Sequence, residues 1–256
     1  MQRRSTGWQR GTTMSKTLYL ECYSGISGDM TVAALLDLGA DREVLKESLK
    51  SLPVGGFRTE ITRVKKSGLD ACDFSVILEQ DNHDHDMEYL HGSEKSYTGH
   101  HEHSHEVNHE HRGMKEITEI IQKSEMTVRA KKMAMRVFDI LAQAESKAHG
   151  VPVEEVHFHE VGAVDSIVDI AAIAICMDNL DISNVIVPVL YEGTGFIRCQ
   201  HGQIPVPVPA VTHIAETHKL KLKITDIQGE LVTPTGAAIA GCLRTEQELP
   251  ERYIIE

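Results

Sequence analysis

The stretch Lys16-Thr-Leu-Tyr-Leu-Glu-Cys-Tyr23 runs directly into Ser24-Gly-Ile-Ser-Gly-Asp29, and this junction decides the fold class. Its first part alternates apolar and polar side chains and is rich in residues that favour strands. Met30 to Leu38 then has the pattern of a helix that ends at Gly39. The junction therefore predicts a strand, a glycine-bearing loop and a helix, which is the start of a mixed α/β unit.

The rest of the first half continues this pattern. Asp41 is placed to cap a helix that stops before Pro53, and the alternating segments Phe57 to Arg63 and Asp73 to Glu79 predict strands. A long amphipathic helix that ends at Gly150 is predicted from apolar residues at spacings of three and four. These residues are Met126, Ala130, Met133, Ala134, Val137, Leu141, Ala144 and Ala148.

The second half predicts an apolar helix at Val164 to Leu180, a strand at Asn184 to Tyr191 and a short strand at Leu220 to Thr225. Thr233-Pro-Thr-Gly236 opens a final helix, whereas Pro205, Pro207 and Pro209 exclude a central strand or a helix interior between them. The pattern contains no internal repeat. We therefore predict a mixed α/β (α+β) fold of one compact domain, residues 14–256.

Composition is that of a globular protein, with 41% hydrophobic and 25% charged residues among 256. No apolar run reaches the roughly 20 residues that a bilayer-spanning helix needs, so we expect no membrane span. Residues 1–13 are basic and lack the apolar core of a signal peptide. We interpret them as an extension and Met14 as the natural start.

Charge and cysteine content narrow the function classes. The formal net charge is −12, and the chain has no basic stripe, which argues against a nucleic acid partner. Five widely spaced cysteines form no C-x-x-C pair. This usage is typical of a reduced, cytoplasmic protein without a disulfide framework or a zinc-thiolate finger.

Nine of the fifteen histidines lie between Glu79 and His111, where nine acids and one lysine contribute −8 of the net charge. The segment 80–113 has no hydrophobic period, which predicts a disordered insertion. Imidazole and carboxylate ligands at short spacing indicate metal binding, although a plain solvated loop is the alternative. Composition does not separate nickel, copper and zinc. The candidate metal ligands are His83, His85, His91, His100, His101, His103, His105, His109 and His111.

A second group of histidines and acids lies just before and within the first turns of the apolar helix in the second half. His157 and His159 share a face if their segment is extended, and Asp165 and Asp169 share a helix face. Two unpaired carboxylates on an apolar helix are costly to bury, so a cation or a basic partner is expected. The alternative is that the acids face water in the first helical turns.

Three glycine-bearing turns are candidate anion cradles, because free amides at helix starts bind phosphate. Ordinary turn and capping chemistry is the alternative for each of them. The candidate residues are Ser24, Gly25, Gly28 and Asp29 in the first turn, Gly193, Gly195, Arg198 and His201 in the second, and Thr235 in the third.

Taken in order, the motifs resemble the LarC family of nickel insertion proteins. They are Leu18-Tyr-Leu-Glu-Cys-Tyr-Ser-Gly-Ile-Ser-Gly-Asp-Met30, the histidine tract, Val156-His-Phe-His-Glu-Val-Gly-Ala-Val-Asp-Ser-Ile-Val-Asp169, Gly193-Thr-Gly-Phe-Ile-Arg-Cys-Gln-His-Gly202, Pro205-Val-Pro-Val-Pro-Ala210 and Gly229-Glu-Leu-Val-Thr-Pro-Thr-Gly-Ala-Ala238. The resemblance extends from Leu18 to about Leu243. The first and third motifs are the most specific.

The resemblance implies a nickel chelatase of the lyase class. Such proteins insert Ni(II) into pyridinium-3,5-bisthiocarboxylic acid mononucleotide and so complete the nickel-pincer cofactor of lactate racemase-type enzymes. The reaction consumes CTP, with Mg²⁺ or Mn²⁺, on a C-terminal domain. Complete members are longer than this chain, so we expect that domain to be absent here and a separate C-terminal half to be a partner. The oligomeric state stays open, a homo-oligomer included.

In this interpretation the histidine tract gathers nickel, the group His157, His159, Asp165 and Asp169 passes it inward, and Arg198 with the glycine turns holds the substrate phosphate. Two other functions remain open. A non-catalytic nickel or zinc chaperone or store needs only the tract. A metal-dependent enzyme acting on a phosphorylated substrate needs the ordered histidine and aspartate group, and would survive deletion of residues 80–113.

Overall fold

A short parallel sheet organises the chain in the computed structural model, which describes residues 16–78, 112–156, 158, 164–199 and 202–255. Strand β1 (Lys16–Tyr19) pairs in parallel with β4 (Ile182–Ile186), and β5 (Leu190–Thr194) pairs in parallel with β8 (Leu222–Gln228). Cys22 bridges Leu190 just beyond β1, so the two strand pairs lie side by side. The loop after β1 therefore lies beside the start of β5.

The helix that follows β1 begins earlier than the sequence predicts. Helix α1 (Gly28–Asp37) starts two residues before Met30, with Ser27 as its extended N-cap residue. Helix α2 (Arg42–Lys50) starts as predicted, because the Asp41 carboxylate accepts hydrogen bonds from the amides of Glu43 and Val44 at 2.9 and 3.2 Å.

The two predicted strands of the first half form one antiparallel hairpin, and each is longer than predicted. They are β2 (Phe57–Lys66) and β3 (Leu69–Leu78), joined by Ser67 and Gly68, which both have positive φ. The charged residues at the tip of this hairpin are exposed, so no apolar alternation marks the added length.

Two helices follow the histidine tract where the sequence predicts one. Helix α3 (Met114–Lys123) was not expected, and it buries Ile117, Ile120 and Ile121. The predicted long helix is confirmed as α4 (Val128–His149), which ends at Gly150 in the left-handed region, with φ of 68°. A short 3₁₀ turn (Val153–Glu155) comes next.

Helix α5 (Val164–Asn179) is the predicted apolar helix and lies at the centre of the core. Ten of its residues are buried, and it packs against α1, α2 and α4. A helix that is apolar on nearly all sides needs partners on nearly all sides. Its two carboxylates, Asp165 and Asp169, therefore lie on a largely buried helix, where a negative charge is costly unless it is paired.

The single strand predicted at Asn184 to Tyr191 is wrong, because Pro188 divides that stretch into β4 and β5. A second hairpin follows, β6 (Phe196–Cys199) with β7 (Gly202–Pro205), which ends at the first of the three prolines. Helix α6 (Pro209–His218) begins at the third.

The final helix is confirmed as α7 (Pro234–Leu243), whose Thr233 side chain caps the Gly236 amide at 3.0 Å. The fold is therefore a mixture of helices and small sheets, as predicted. In the described part of the chain, no helix is both long enough and apolar enough to cross a membrane.

Candidate functional site

The loop between β1 and α1, Ser24 to Asp29, lies directly against the segment that leads into α7. The Ile26 amide donates to the Leu231 carbonyl at 2.9 Å, and the Thr233 amide donates to the Ile26 carbonyl at 3.1 Å. Gly25 has a φ of +84°, and a Cβ there would lie 1.9 Å from the Leu231 oxygen. Two loops more than 200 residues apart in sequence are thus joined through their backbones.

Glycines make two further contacts of the same kind. A Cβ on Gly236, in the first turn of α7, would lie 2.0 Å from the Ile26 oxygen. A Cβ on Gly193 would lie 1.8 Å from the Gly229 oxygen. The three predicted cradles therefore converge, and the close approach of one backbone to another already accounts for these glycines.

Gly193 provides the cleanest test of this packing, because its φ is not in the left-handed region and only space is restricted. We expect Gly193→Ala to lower the free energy of unfolding by roughly 3 kcal/mol, since the added methyl group meets backbone that cannot rotate away. Gly55→Ala is the matched control, because nothing lies within 4 Å of a Cβ there. Urea unfolding that gives both variants the same stability would contradict the contact.

The carboxylate of Asp169 lies at the start of α1. It accepts a hydrogen bond from the Asp29 amide, and its Oδ2 lies 2.5 Å from where a Cβ on Gly28 would be. Its other oxygen, Oδ1, is buried without a hydrogen-bond partner, although the residue as a whole is only half-buried. One carboxylate oxygen is thus fixed by the backbone while the other is left without a partner.

Burial raises the pKa of Asp169 well above its ordinary value of 3.8, and the charges of Asp29 and Asp165 raise it further. Asp165 lies one helical turn before Asp169 on α5. The hydroxyl of Ser27 donates to the Asp29 carboxylate. Three carboxylates thus lie close together, and either a proton or a cation would relieve their repulsion.

Glu192, on β5, is a second internal carboxylate and is fully buried, with 0% exposure. Its Oε1 accepts hydrogen bonds from the amides of Gly193, Leu231 and Val232 at 2.7, 2.8 and 3.1 Å. Its Oε2 is buried without a partner. Glu192 is not among the site residues predicted from the sequence. A charged side chain next to the apolar run of β5 was the available signal.

These carboxylates occupy backbone amides in or next to the predicted anion cradles. Asp169 holds the amide at the start of α1, and Glu192 holds two amides that precede α7. The side chain of Thr233 takes the Gly236 amide in the first turn of α7. An external phosphate at these two loops would therefore need a cationic side chain.

The remaining predicted cradle residues that the structure describes are Thr235, Gly195 and Arg198. Thr235 is buried in the first turn of α7. Gly195 has a φ of +95° and approaches the Gln228 side chain. Arg198 is exposed on the β6–β7 hairpin, opposite Gln203.

His157, His159, His201 and all nine histidines of the tract lie outside the described residues. Within the described ranges, no three His, Cys, Asp or Glu side chains are grouped so that they could hold a metal ion. The assignment of metal ligands therefore stays a prediction.

Comparison with known proteins identifies relatives over nearly the whole chain. A family model described as nickel insertion protein matches residues 18–256. A pyridinium-3,5-bisthiocarboxylic acid mononucleotide nickel insertion protein of Alkaliphilus metalliredigens is 54% identical over 244 residues, which is 95% of this chain and 56% of the relative. No solved structure matches the chain significantly.

Two more distant relatives carry the same name. The protein of Acetivibrio thermocellus is 37% identical over 231 residues, which cover 90% of this chain and 52% of the relative. That of Geobacillus kaustophilus is 43% identical over 224 residues, which cover 88% and 50%. The chain spans about half the length of the curated relatives it matches.

Proposed function

Because the chain belongs to the nickel insertion protein family, we propose that it delivers Ni(II) to pyridinium-3,5-bisthiocarboxylic acid mononucleotide and inserts it there as a nickel chelatase. The observation that carries this proposal is the family match over residues 18–256, together with relatives of that printed name. Nickel is a substrate in this reaction, and the product is the nickel-pincer cofactor. A C-terminal half that binds CTP with Mg²⁺ or Mn²⁺ is part of the same proposal.

The acid group at the start of α5 is proposed to receive nickel on its way to the substrate. The buried Oδ1 of Asp169 has no partner, and a divalent cation beside it would offset the burial and the repulsion from Asp29 and Asp165. His157 and His159 are proposed to complete this group, since imidazole suits nickel. Arg198 and the glycine loops are proposed to hold the substrate phosphate.

Transfer to the substrate follows from ligand chemistry. Carboxylates are hard ligands that suit Mg²⁺ and Ca²⁺ better than nickel, whereas the sulfur atoms of a bisthiocarboxylate are soft. A relay of carboxylate and imidazole therefore holds nickel less tightly than the product does. Insertion is then favoured once both substrates are present in the same site.

The experiment that tests the function is direct reconstitution. The purified chain is incubated with Ni(II), the bisthiocarboxylate mononucleotide and CTP, with and without the C-terminal half of a full-length relative, and the product is sought by mass spectrometry. Metallated product in either arm supports the proposal. Absence of product in both arms, when the intact relative forms it in parallel, contradicts the proposal.

The histidine tract gives a separate prediction. Replacing its nine histidines with serine should lower the number of Ni(II) ions bound per chain by at least half, because imidazole is the main nickel ligand in the segment. Equilibrium dialysis against Ni(II) measures the number bound, and circular dichroism checks the fold. Unchanged nickel binding in the folded variant would exclude the tract as the nickel-gathering element.

A further inference from the structure

Two tyrosines lie side by side, Tyr23 beyond the carboxyl end of β1 and Tyr191 near the start of β5. The Tyr191 amide donates to the Cys22 carbonyl at 3.1 Å, which brings Tyr191 next to Tyr23. The two rings meet edge to face, with centroids 4.9 Å apart and an angle of 64° between their planes. Tyr23 is 53% exposed. One aromatic face is therefore held in place and open to a ligand.

A lysine completes this surface. Lys223 pairs with Tyr191 in the parallel register of β5 and β8. Its Nζ lies 4.5 Å from the centre of the Tyr191 ring and 3.3 Å from the Tyr191 hydroxyl. We call Tyr23, Tyr191 and Lys223 the tyrosine–lysine surface. It combines an exposed aromatic ring with a positioned positive charge.

A hydrogen bond from Tyr19, the last residue of β1, orders Tyr23. Loss of solvent and the hydrogen bond between the Tyr19 and Tyr23 hydroxyls raise the pKa of Tyr19 to about 12. The hydroxyl of Tyr23 is therefore fixed by its hydrogen bond to Tyr19. Two contacts therefore hold Tyr23. Its hydroxyl is hydrogen-bonded to Tyr19, and its ring packs against the ring of Tyr191.

The surface adjoins the loops of the candidate site in sequence. Tyr23 immediately precedes the loop Ser24 to Asp29, and Tyr191 immediately precedes Glu192 and Gly193. Tyr23 follows the carboxyl end of β1, the end at which ligands of parallel sheets bind, whereas Tyr191 and Lys223 are the second residues of β5 and β8. The tyrosine–lysine surface is therefore continuous with the converging loops of the candidate site.

We propose that the tyrosine–lysine surface binds a pyridinium mononucleotide, with the cationic ring stacked on Tyr23 and the phosphate paired with Lys223 in addition to the contact proposed for Arg198. The identity of this ligand rests on the proposed function, since the named relatives act on a molecule of that class. A cationic aromatic ring is attracted to the electron-rich face of tyrosine. An ammonium group supplies the charge for a phosphate.

The converging loops make such a cation necessary. Asp169 and Glu192 already occupy the amides at the starts of α1 and α7, and both are acids. The chain as a whole carries a formal charge of −12. A phosphate dianion placed near these carboxylates is repelled unless a positive side chain offsets them, and Lys223 is fixed over the ring of Tyr191, which contacts Tyr23.

Isothermal titration calorimetry on the 256-residue chain tests the proposal with nicotinic acid mononucleotide as the probe. Its dephosphorylated riboside and ribose 5-phosphate serve as separate probes of the ring and the phosphate. We expect the mononucleotide to bind at least tenfold more tightly than either part. Tyr23→Ala should weaken its binding about tenfold, while Tyr23→Phe should retain it, because stacking needs the ring and not the hydroxyl.

Lys223→Gln should weaken binding of the mononucleotide about tenfold and leave the riboside unaffected, because only the phosphate contact is lost. Lys221→Gln, an exposed lysine two residues earlier with the same change in charge, is the matched control and should bind as the wild type does. Wild-type affinity in both Tyr23→Ala and Lys223→Gln overturns the proposal, as does an absence of mononucleotide binding to the wild type.

Failure of this inference is distinguishable from failure of the proposed function. The calorimetric measurement contains no nickel and no CTP, so it reports on the mononucleotide alone. If the chain binds the probe through Tyr23 and Lys223 but forms no metallated product, the surface stands and the chelatase proposal fails. Product formation that is unaffected in both variants removes the surface and leaves the chelatase proposal intact.

Discussion

Asp169→Asn is expected to stabilise the metal-free protein while it abolishes formation of the nickel cofactor. The asparagine oxygen still accepts the hydrogen bond from the Asp29 amide. Its NH₂ group replaces the buried oxygen that has no partner, and it can donate to the neighbouring carboxylates. We expect a gain on the order of 1 kcal/mol in the free energy of unfolding at pH 7, because a buried unpaired acceptor is removed.

The gain should depend on pH in a definite direction. The folded-state pKa of Asp169 is raised above its ordinary value of 3.8, so the folded protein holds this proton more tightly than the unfolded chain does. The stabilisation that comes from proton binding by Asp169 is therefore complete below about pH 4 and is lost as the pH rises through the folded-state pKa. Asparagine does not titrate, so the advantage of the variant should grow from pH 4 to pH 7.

Urea unfolding in the presence of EDTA, at pH 4 and pH 7, measures this effect, and Asp226→Asn is the control because Asp226 is exposed on β8. The same variant should form no detectable cofactor in the reconstitution, since an amide cannot neutralise a divalent cation. A site that favours function over stability typically behaves in this way. A stabilised variant with full activity would exclude Asp169 from nickel transfer.

The elements that could be predicted from the sequence are those with local signals. Helix α4 has apolar residues at helical spacing and ends at Gly150, and Thr233 caps α7. Pro188 was also a local signal, and overlooking it merged β4 and β5 into one strand. Helix α3 was likewise readable from Ile117, Ile120 and Ile121, whose spacing is helical.

The site could be predicted only as separate pieces. Glycines marked the loops at Ser24 to Asp29 and at Gly193, where the sequence offered an anion cradle or ordinary turn and capping chemistry, and the contact with another backbone was not foreseen. The contact between Gly25 and Leu231 joins parts of the chain that are far apart, and no local pattern encodes it. The strand pairing that brings Cys22 beside Leu190 determines which loops meet, and pairing partners are not evident from one sequence.

Glu192→Ala is the substitution that we expect to lower the free energy of unfolding most. Glu192→Ala removes the acceptor of three amides, of which those of Gly193 and Val232 are buried, and it leaves a cavity behind. Each buried amide left without a partner costs about 1 to 3 kcal/mol. We expect a total loss of roughly 3 to 5 kcal/mol, since part of the segment can relax towards solvent.

Glu192→Gln separates the hydrogen bonds from the charge. Its amide oxygen can accept the same three hydrogen bonds, so we expect it to lose only roughly 1 kcal/mol, the scale of a modest buried change. Amide hydrogen exchange at Leu231 and Val232 should accelerate strongly in Glu192→Ala and little in Glu192→Gln, because only the former loses the acceptor. Glu248→Ala, at an exposed glutamate, is the control for removal of a carboxylate. If Glu192→Ala were as stable as Glu248→Ala, the carboxylate would not be what holds the loop before α7 against β5, and the convergence of the site would then depend on the glycine contacts alone.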